Sequence, residues 1–255
     1  MSILFHEIIY GPVKSRRFGY SLGLNLLPSQ SKRCTFNCIY CECGWNPEKA
    51  SGSFATTDEF LMTLEKKLIA LKNQNAMLDV LTFAGNGEPT LHPDFSIIVK
   101  ETSNLRNKYF PGKSIVLLTN ASTLTNTEIR DSLKWIDKPV LKLDSAIEET
   151  MRVINLPAPA FNFQQYMESL TTLPFRISVQ TMLLRGKYQN QYIDNTTDTE
   201  ITALMEQYKK INPMVVMLYS LDRIPPLSGL EKISSEEIKT IAQKMEHFQI
   251  AVNWV

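Results

Sequence analysis

Four cysteines, Cys34, Cys38, Cys41 and Cys43, fall within ten residues, and the rest of the 255-residue chain contains none. Thiolates bind soft metals and take part in redox chemistry. Loops this short gain little from a disulfide and strain its geometry, so the group is not a cross-linking framework. The first ten residues carry His6 and Glu7 and lack the basic start, apolar run and small-residue cleavage site of a secretory signal. Clustered thiols in such a chain predict a metal or redox site in a reducing, cytoplasmic compartment.

The loop reads Cys34-Thr-Phe-Asn-Cys38-Ile-Tyr-Cys41-Glu-Cys43. Its spacing lets one short segment curl around a single compact centre. One such centre is a 4Fe-4S cluster, with three thiolates on three irons and the last iron open to a small molecule. The other is a structural zinc ion, for which Cys43 supplies the fourth thiolate of a closed tetrahedron. Zinc loops usually bring two separated cysteine pairs together, and four thiols on one run crowd a tetrahedral site.

The remaining sequence must position this loop. Residues 22–27 read as a strand ended by Pro28, directly before the cysteines. A helix follows from about Thr57, with Thr57 and Asp58 as cap candidates and Phe60, Leu61, Leu64, Leu68 and Leu71 at helical spacing. Strands are then predicted at 78–83, 115–118, 140–143, 175–183, 215–219 and 250–254. Helices are predicted between them at 94–108, 125–135, 145–153, 161–173, 199–211 and 234–248. The strand runs are continuously apolar, as parallel strands buried on both faces require. The fold class is therefore α/β, a parallel barrel or open sheet, with chemistry at the C-terminal strand ends where the cysteine loop sits.

The composition, 44% hydrophobic and 21% charged, is that of one globular domain. Pro-rich pieces at 156–159 and 224–227 are too short to be linkers and read as turns. A balance of 27 basic against 26 acidic residues, net +1, disfavours a dedicated nucleic-acid binder. No stretch approaches the ~20 apolar residues of a membrane span, so the expectation is a soluble protein without a membrane partner.

Cys34-x3-Cys38-x2-Cys41, with Tyr40 before the third cysteine and a strand before the loop, resembles the signature of the radical S-adenosylmethionine (radical SAM) superfamily. Ala84-Gly-Asn-Gly-Glu-Pro89 is similar to that superfamily's Gly-Gly-Glu-Pro motif, with Asn86 replacing a glycine. Leu118-Thr-Asn120, Lys142-Leu-Asp144 and Ser178-Val-Gln180 follow at strand ends in the expected order. Residues 11–19, 21–28, 85–93 and 219–223 resemble the branch related to wyosine synthases. The similarity spans about residues 10–225.

This resemblance implies a partial (β/α)6 TIM-like barrel of parallel strands over about 20–222, an N-terminal arm at 1–19, and a C-terminal helix and strand extension at 223–255. It implies one 4Fe-4S cluster on Cys34, Cys38 and Cys41, whose open iron takes the amino and carboxylate groups of S-adenosylmethionine. One electron, from a donor such as flavodoxin or ferredoxin, then cleaves the sulfonium to methionine and a 5′-deoxyadenosyl radical, which abstracts hydrogen from a substrate. Tyr40 lays its ring or backbone against the adenine, or fills space beside the cluster. In the motif Gly85, Asn86, Gly87, Glu88 and Pro89, the glycines let backbone approach the methionine amine. Asn120, Asp144 and Gln180 are assigned to the ribose hydroxyls and the methionine carboxylate, with helix capping as the other reading of Asp144.

Two residues are candidates for the reaction itself. Lys142 shares a strand face with Asp144 and would bind an anionic substrate, form an imine or make an interior ion pair. Cys43 is a bystander, a protective thiol or a hydrogen-atom donor. His92 reads as a helix-start residue. Lys14, Arg16, Arg17, Lys32 and Arg33 make a basic patch, solvated or drawing an acidic substrate. The branch points to a tRNA purine, yet wyosine synthases carry further cysteines for a second cluster, and this chain has none to spare. The substrate is therefore open between tRNA-base and peptide or protein modification. Other readings are a glycyl-radical-enzyme activase and a non-catalytic zinc or iron–sulfur module.

Overall fold

The structure, a computed structural model, describes residues 3–49, 51–223, 225 and 227–255. The turn expected at 224–227 thus lies partly outside the described residues. The chain begins with β1 (Ile9–Ser15) and β2 (Gly19–Leu24), an antiparallel hairpin. There follow α1 (Thr57–Asn73), β3 (Val80–Phe83), α2 (Phe95–Tyr109), β4 (Ser114–Thr119), α3 (Thr127–Ser132), β5 (Lys138–Lys142), α4 (Glu148–Asn155) and α5 (Phe163–Thr171). The last elements are β6 (Ser178–Tyr188), β7 (Gln191–Asp194), α6 (Asp198–Ile211), β8 (Val215–Ser220), β9 (Leu230–Lys232), α7 (Ser235–His247) and β10 (Val252–Trp254).

The sheet runs in the order β1-β2-β3-β4-β5-β6-β8-β10, and every pairing from β2 onward is parallel. It is an open sheet with β1 and β10 at its two ends, matching the partial barrel expected from the sequence. Alternation along each strand sorts the side chains into two cores. On β3, Leu81 and Phe83 face the helices, where Phe83 packs on Phe60 of α1 at 6.4 Å and Phe95 of α2 at 6.1 Å. Val80, Val116 and Val140 face the other way and form an inner cluster with Phe18, Leu118 and Met217. The apolar stripe of α1 is the predicted one, Phe60, Leu64, Leu68 and Leu71, but the cap is Thr56, whose hydroxyl accepts from Glu59 N at 3.2 Å.

Two features depart from the expectation. The N-terminal arm is structured: residues 9–15 form β1, and the hairpin tip turns into the barrel. There Phe18 joins the inner cluster, Arg17 lies 5.0 Å from the Tyr219 ring centre, and Arg16 pairs with Asp222 at 3.0 Å. The tip thereby reaches from the first parallel strand to β8. The second departure is the continuation of β6 beyond 183 to Tyr188, where it pairs antiparallel with β7 and β9. The β6–β7 turn is Gln189-Asn190, both at positive φ, which suits a two-residue hairpin without the Asn-Gly signal that would announce one. Among the described residues no helix is long and apolar enough to cross a membrane.

Because Phe18 fills the inner cluster from outside the parallel strands, Phe18→Ala should lower unfolding stability by about 2 kcal/mol without loss of helical content. Urea denaturation followed by circular dichroism measures both quantities.

Candidate active site

The cysteine loop is held from three sides by backbone. At its start, Arg33 forms a parallel bridge with Gly87: Arg33 N donates to Asn86 O at 2.8 Å and Glu88 N to Arg33 O at 3.0 Å. In its middle, Asn37 N donates to Asn155 O at 2.9 Å and Ile39 N to Ile154 O at 3.0 Å, at the C-terminus of α4. Ala158 N donates to Thr35 O at 2.9 Å, so the Pro-rich turn at 156–159 backs the loop. The loop also folds on itself, with Cys41 N donating to Cys38 O and Gly44 N to Cys41 O. Asn46 Nδ2 closes it by donating to Cys34 O at 2.9 Å.

The bridge explains the glycines of the 85–89 motif. Gly87 has φ +137, and a Cβ there would sit 1.9 Å from Arg33 O. A Cβ at Gly85 would meet Asn25 Oδ1 at 2.1 Å. Glu88 is buried and ties two strand ends together. Its Oε1 accepts from Thr90 Oγ1 and Thr119 Oγ1, each at 2.6 Å, and its Oε2 accepts from Asn120 N at 2.7 Å. Burial raises the Glu88 pKa, opposed by these hydrogen bonds. Asn120, held this way, donates through Nδ2 to Thr35 Oγ1 at 2.8 Å and to Cys34 Sγ at 3.4 Å.

Asp144 forms a second knot. Its carboxylate accepts from the Tyr40 hydroxyl, from Asn155 Nδ2 at 2.7 Å and from Met182 N at 2.9 Å, with Lys142 Nζ at 3.7 Å. Asn155 Nδ2 also donates to Cys38 Sγ at 3.3 Å. Burial and the Asp144 charge together hold the Tyr40 hydroxyl protonated, well above the usual phenol range. Burial works against the charge of Lys142, but Asp144 and Tyr219 outweigh it and raise its pKa. An ammonium held protonated in this way is a poor nucleophile.

One cavity of about 230 Å³ joins these parts. It is lined by Cys34, Cys38, Cys41 and Cys43 with Tyr40, Gly85, Gly87, Glu88, Asn120, Lys142 and Gln180 among its walls. Most of the residues singled out from the sequence are thus brought together. Of the residues assigned to the cluster, the cofactor or the reaction, three are not on its wall. The Asn86 side chain accepts from Phe5 N and donates to Phe5 O and Pro28 O, fastening the N-terminal segment. Pro89 starts a 3-10 turn over Pro89–Leu91. Asp144 is fully buried behind Tyr40 and Lys142. His92 sits at the entry of α2 as expected, its Nδ1 accepting from Asp94 N and its carbonyl from Phe95 N, while its Nε2 lies 2.9 Å from Ala55 O.

The basic patch is also divided by the fold. Lys14 is exposed, and Arg33 lies 4.9 Å from the Phe54 ring centre. Lys32, by contrast, is buried beneath the loop and donates to Gly44 O at 2.8 Å. Its charge acts on the thiols. Burial pushes the Cys34 thiol up to about 12 and raises Cys38 as well. Cys41 is lowered to about 5 by the Cys43 thiol, with Lys32 assisting against burial, and Cys43 is raised in turn. Sequence reading placed Lys32 and Arg17 only within a basic patch and Tyr219 only within the 219–223 segment, and it missed Asn155 as a neighbour of the site. A lysine two residues before the first cysteine was the available signal for Lys32, and no motif marked Asn155.

The family model of the Radical SAM superfamily matches residues 29–199, which include the loop, the 85–89 motif and the strands that carry Asn120, Lys142 and Gln180. The chain belongs to the radical SAM superfamily. It is an enzyme of that class. It is 32% identical to a UPF0026 protein of Synechocystis sp. over 226 residues, 86% of this chain and 77% of that one. With the GTPase Obg of Brachyspira hyodysenteriae it shares 28% identity over 239 residues, 91% of this chain but 31% of the relative. Among solved structures, TYW1 with a lysine-pyruvate adduct bound has a TM-score of 0.61 at 15% identity, covering 90% of this chain and 74% of that chain. At that identity the shared feature is the fold, an open parallel barrel.

Two substitutions test how this radical SAM site is held. Gly87→Ala should break the bridge to Arg33 and lower stability by about 2–4 kcal/mol, since the clash is with backbone and φ is positive. Glu88→Gln should cost about 1–3 kcal/mol, because every group facing that carboxylate is a donor and one must face the new NH2. Denaturant midpoints of the two variants, taken against Glu59→Gln on the exposed face of α1, measure these losses.

Proposed function

We propose that this radical SAM enzyme binds one 4Fe-4S cluster through Cys34, Cys38 and Cys41 and cleaves S-adenosylmethionine to start hydrogen abstraction from a substrate. The observation that carries the reading is the common cavity: three thiols from one loop share it with two backbone-exposing glycines and the strand-end amides of Asn120 and Gln180. The donor set fits the group. Thiolates are the ligands of such clusters, and three leave one iron free. When bound, the cluster supplies the electron that splits the sulfonium of S-adenosylmethionine into methionine and a 5′-deoxyadenosyl radical.

The chain's own residues do the rest. Asn120 and Asn155 donate to Cys34 Sγ and Cys38 Sγ, and hydrogen bonds to sulfur favour thiolate and tune a cluster's potential. Lys32 places a positive charge beneath the loop, offsetting the negative charge of ligated thiolates. Gly85 and Gly87 present backbone to the methionine end of the cofactor, Tyr40 gives the adenine a ring to lie against, and Gln180 offers an amide to its polar groups. The N-terminal hairpin tip covers the inner side of the barrel and excludes water from the radical. A low-potential donor such as flavodoxin or ferredoxin is the proposed reductant.

Reconstituted anaerobically and given dithionite and S-adenosylmethionine, the wild-type protein should release 5′-deoxyadenosine. Cys38→Ala should release none above a protein-free control. Equal production by both would sink the assignment of the loop.

A further inference from the structure

Lys32 stands two residues before Cys34, and the chain is fixed on both sides of it. Ser31 Oγ donates to Ser51 O at 2.6 Å, and Arg33 makes the backbone bridge to Gly87. Lys32 is only 3% exposed, and it lines the cavity together with the four cysteines. Its Nζ donates to Gly44 O at 2.8 Å and to Asn37 Oδ1 at 3.4 Å, joining the Cys41–Gly44 turn to the segment between Cys34 and Cys38. An ammonium has three N–H donors, and the remaining one is within hydrogen-bonding reach of the Cys41 thiol. Lys142, Arg16 and Arg223 pair with Asp144, Asp222 and Glu42. Among the described residues Lys32 has no such carboxylate partner.

A buried cation without an anion is costly, and two neutral acceptors do not cancel its charge. Thiolates on an iron–sulfur centre would bring the missing countercharge. A centre that gains one electron gains one negative charge, so a fixed cation in a site poor in water stabilises its reduced form over its oxidised form. Asn120 and Asn155 offer dipoles to Cys34 and Cys38, whereas Lys32 sets a full charge beside Cys41. We propose that Lys32 is a positioning residue for electron entry: its buried ammonium, held beneath the Cys41–Gly44 turn, raises the reduction potential of the cluster. One electron from a flavodoxin- or ferredoxin-class donor then reduces the cluster more readily, and the oxidised donor leaves. The inference rests on the reading of this cavity as the seat of a 4Fe-4S cluster.

The test is a potentiometric titration of the anaerobically reconstituted protein without S-adenosylmethionine, with the reduced cluster followed by electron paramagnetic resonance. At the wild-type midpoint potential, the ratio of reduced to oxidised cluster should fall about fivefold or more in Lys32→Met. It should fall by less than that in Lys32→Arg, which keeps the charge. A smaller fall, no change or a rise in Lys32→Met overturns the proposal. A fall of about fivefold or more in Lys32→Arg overturns it as well, because altered packing would then account for both variants.

Should Lys32→Met fail to fold or to take up iron, Lys32→Gln is titrated in its place against the same limit, since its neutral amide still offers a donor to the loop. If neither neutral variant holds a cluster, Lys32 serves the structure of the loop alone and the proposal is overturned. The potential is read without turnover. A wild-type protein that takes up no 4Fe-4S cluster refutes the reading of the cavity and this inference with it. A loaded wild-type protein whose potential ignores Lys32 refutes the inference alone.

Discussion

The buried carboxylate of Asp144 is the interaction on which the rest of the site depends. It lies just beyond β5 and reaches the cysteine loop through Tyr40, α4 through Asn155 and β6 through Met182 N. Each of these is a hydrogen bond to a charged group, worth about 1.5–3 kcal/mol in a site closed to water. Asn155 passes the constraint on to Cys38 Sγ. The loop is therefore tied to the barrel by side chains from α4 and from the residue after β5. A buried anion that lost these partners would be uncompensated, at a cost of about 3–5 kcal/mol, so loop, helix and strand hold together or not at all.

A second, uncharged constraint works at the other end of the loop. The bridge between Arg33 and Gly87 requires backbone to approach backbone, and only a residue without Cβ permits it. Glu88 then fastens the end of β3 to Asn120 at the end of β4, and Asn120 reaches Cys34 Sγ. Thus Cys34 and Cys38, the two thiols that burial would keep protonated, each receive a side-chain amide donor from a different part of the sheet. Cys41 is set apart by its pairing with Cys43 and by Lys32. The three thiols differ in their ease of deprotonation because the fold treats each differently.

The parallel strands were legible because burial on both faces makes them continuously apolar; β3 to β6, β8 and β10 overlap the expected segments, while β2 runs over Gly19–Leu24 and ends before the expected stop at Pro28. The cysteine loop and the glycine motif were legible because their residue types are needed at fixed spacing. What escaped the sequence were contacts between distant segments. Asp144 reads from sequence as a ligand of the cofactor because it is a polar residue at a strand end, and the structure turns it inward to hold Tyr40 and Asn155. Asn86 replaces a glycine where the fold needs an anchor for Phe5 and Pro28. Arg17 belongs to a charged tip that looks solvated until β1 folds back and carries it inside. Propensity and periodicity describe neighbours along the chain, whereas these placements depend on which strand lies alongside which.

The central claim is that Cys34, Cys38 and Cys41 hold a cluster with one iron left open to S-adenosylmethionine in this cavity. Electron–nuclear double resonance of the reduced, reconstituted protein with S-adenosylmethionine labelled by nitrogen-15 at the amine and oxygen-17 at the carboxylate tests it most directly. Hyperfine coupling of both labels to the cluster is expected, retained in Cys43→Ala and absent in Cys41→Ala. A cluster in the wild-type protein that shows no coupling to either label would contradict it.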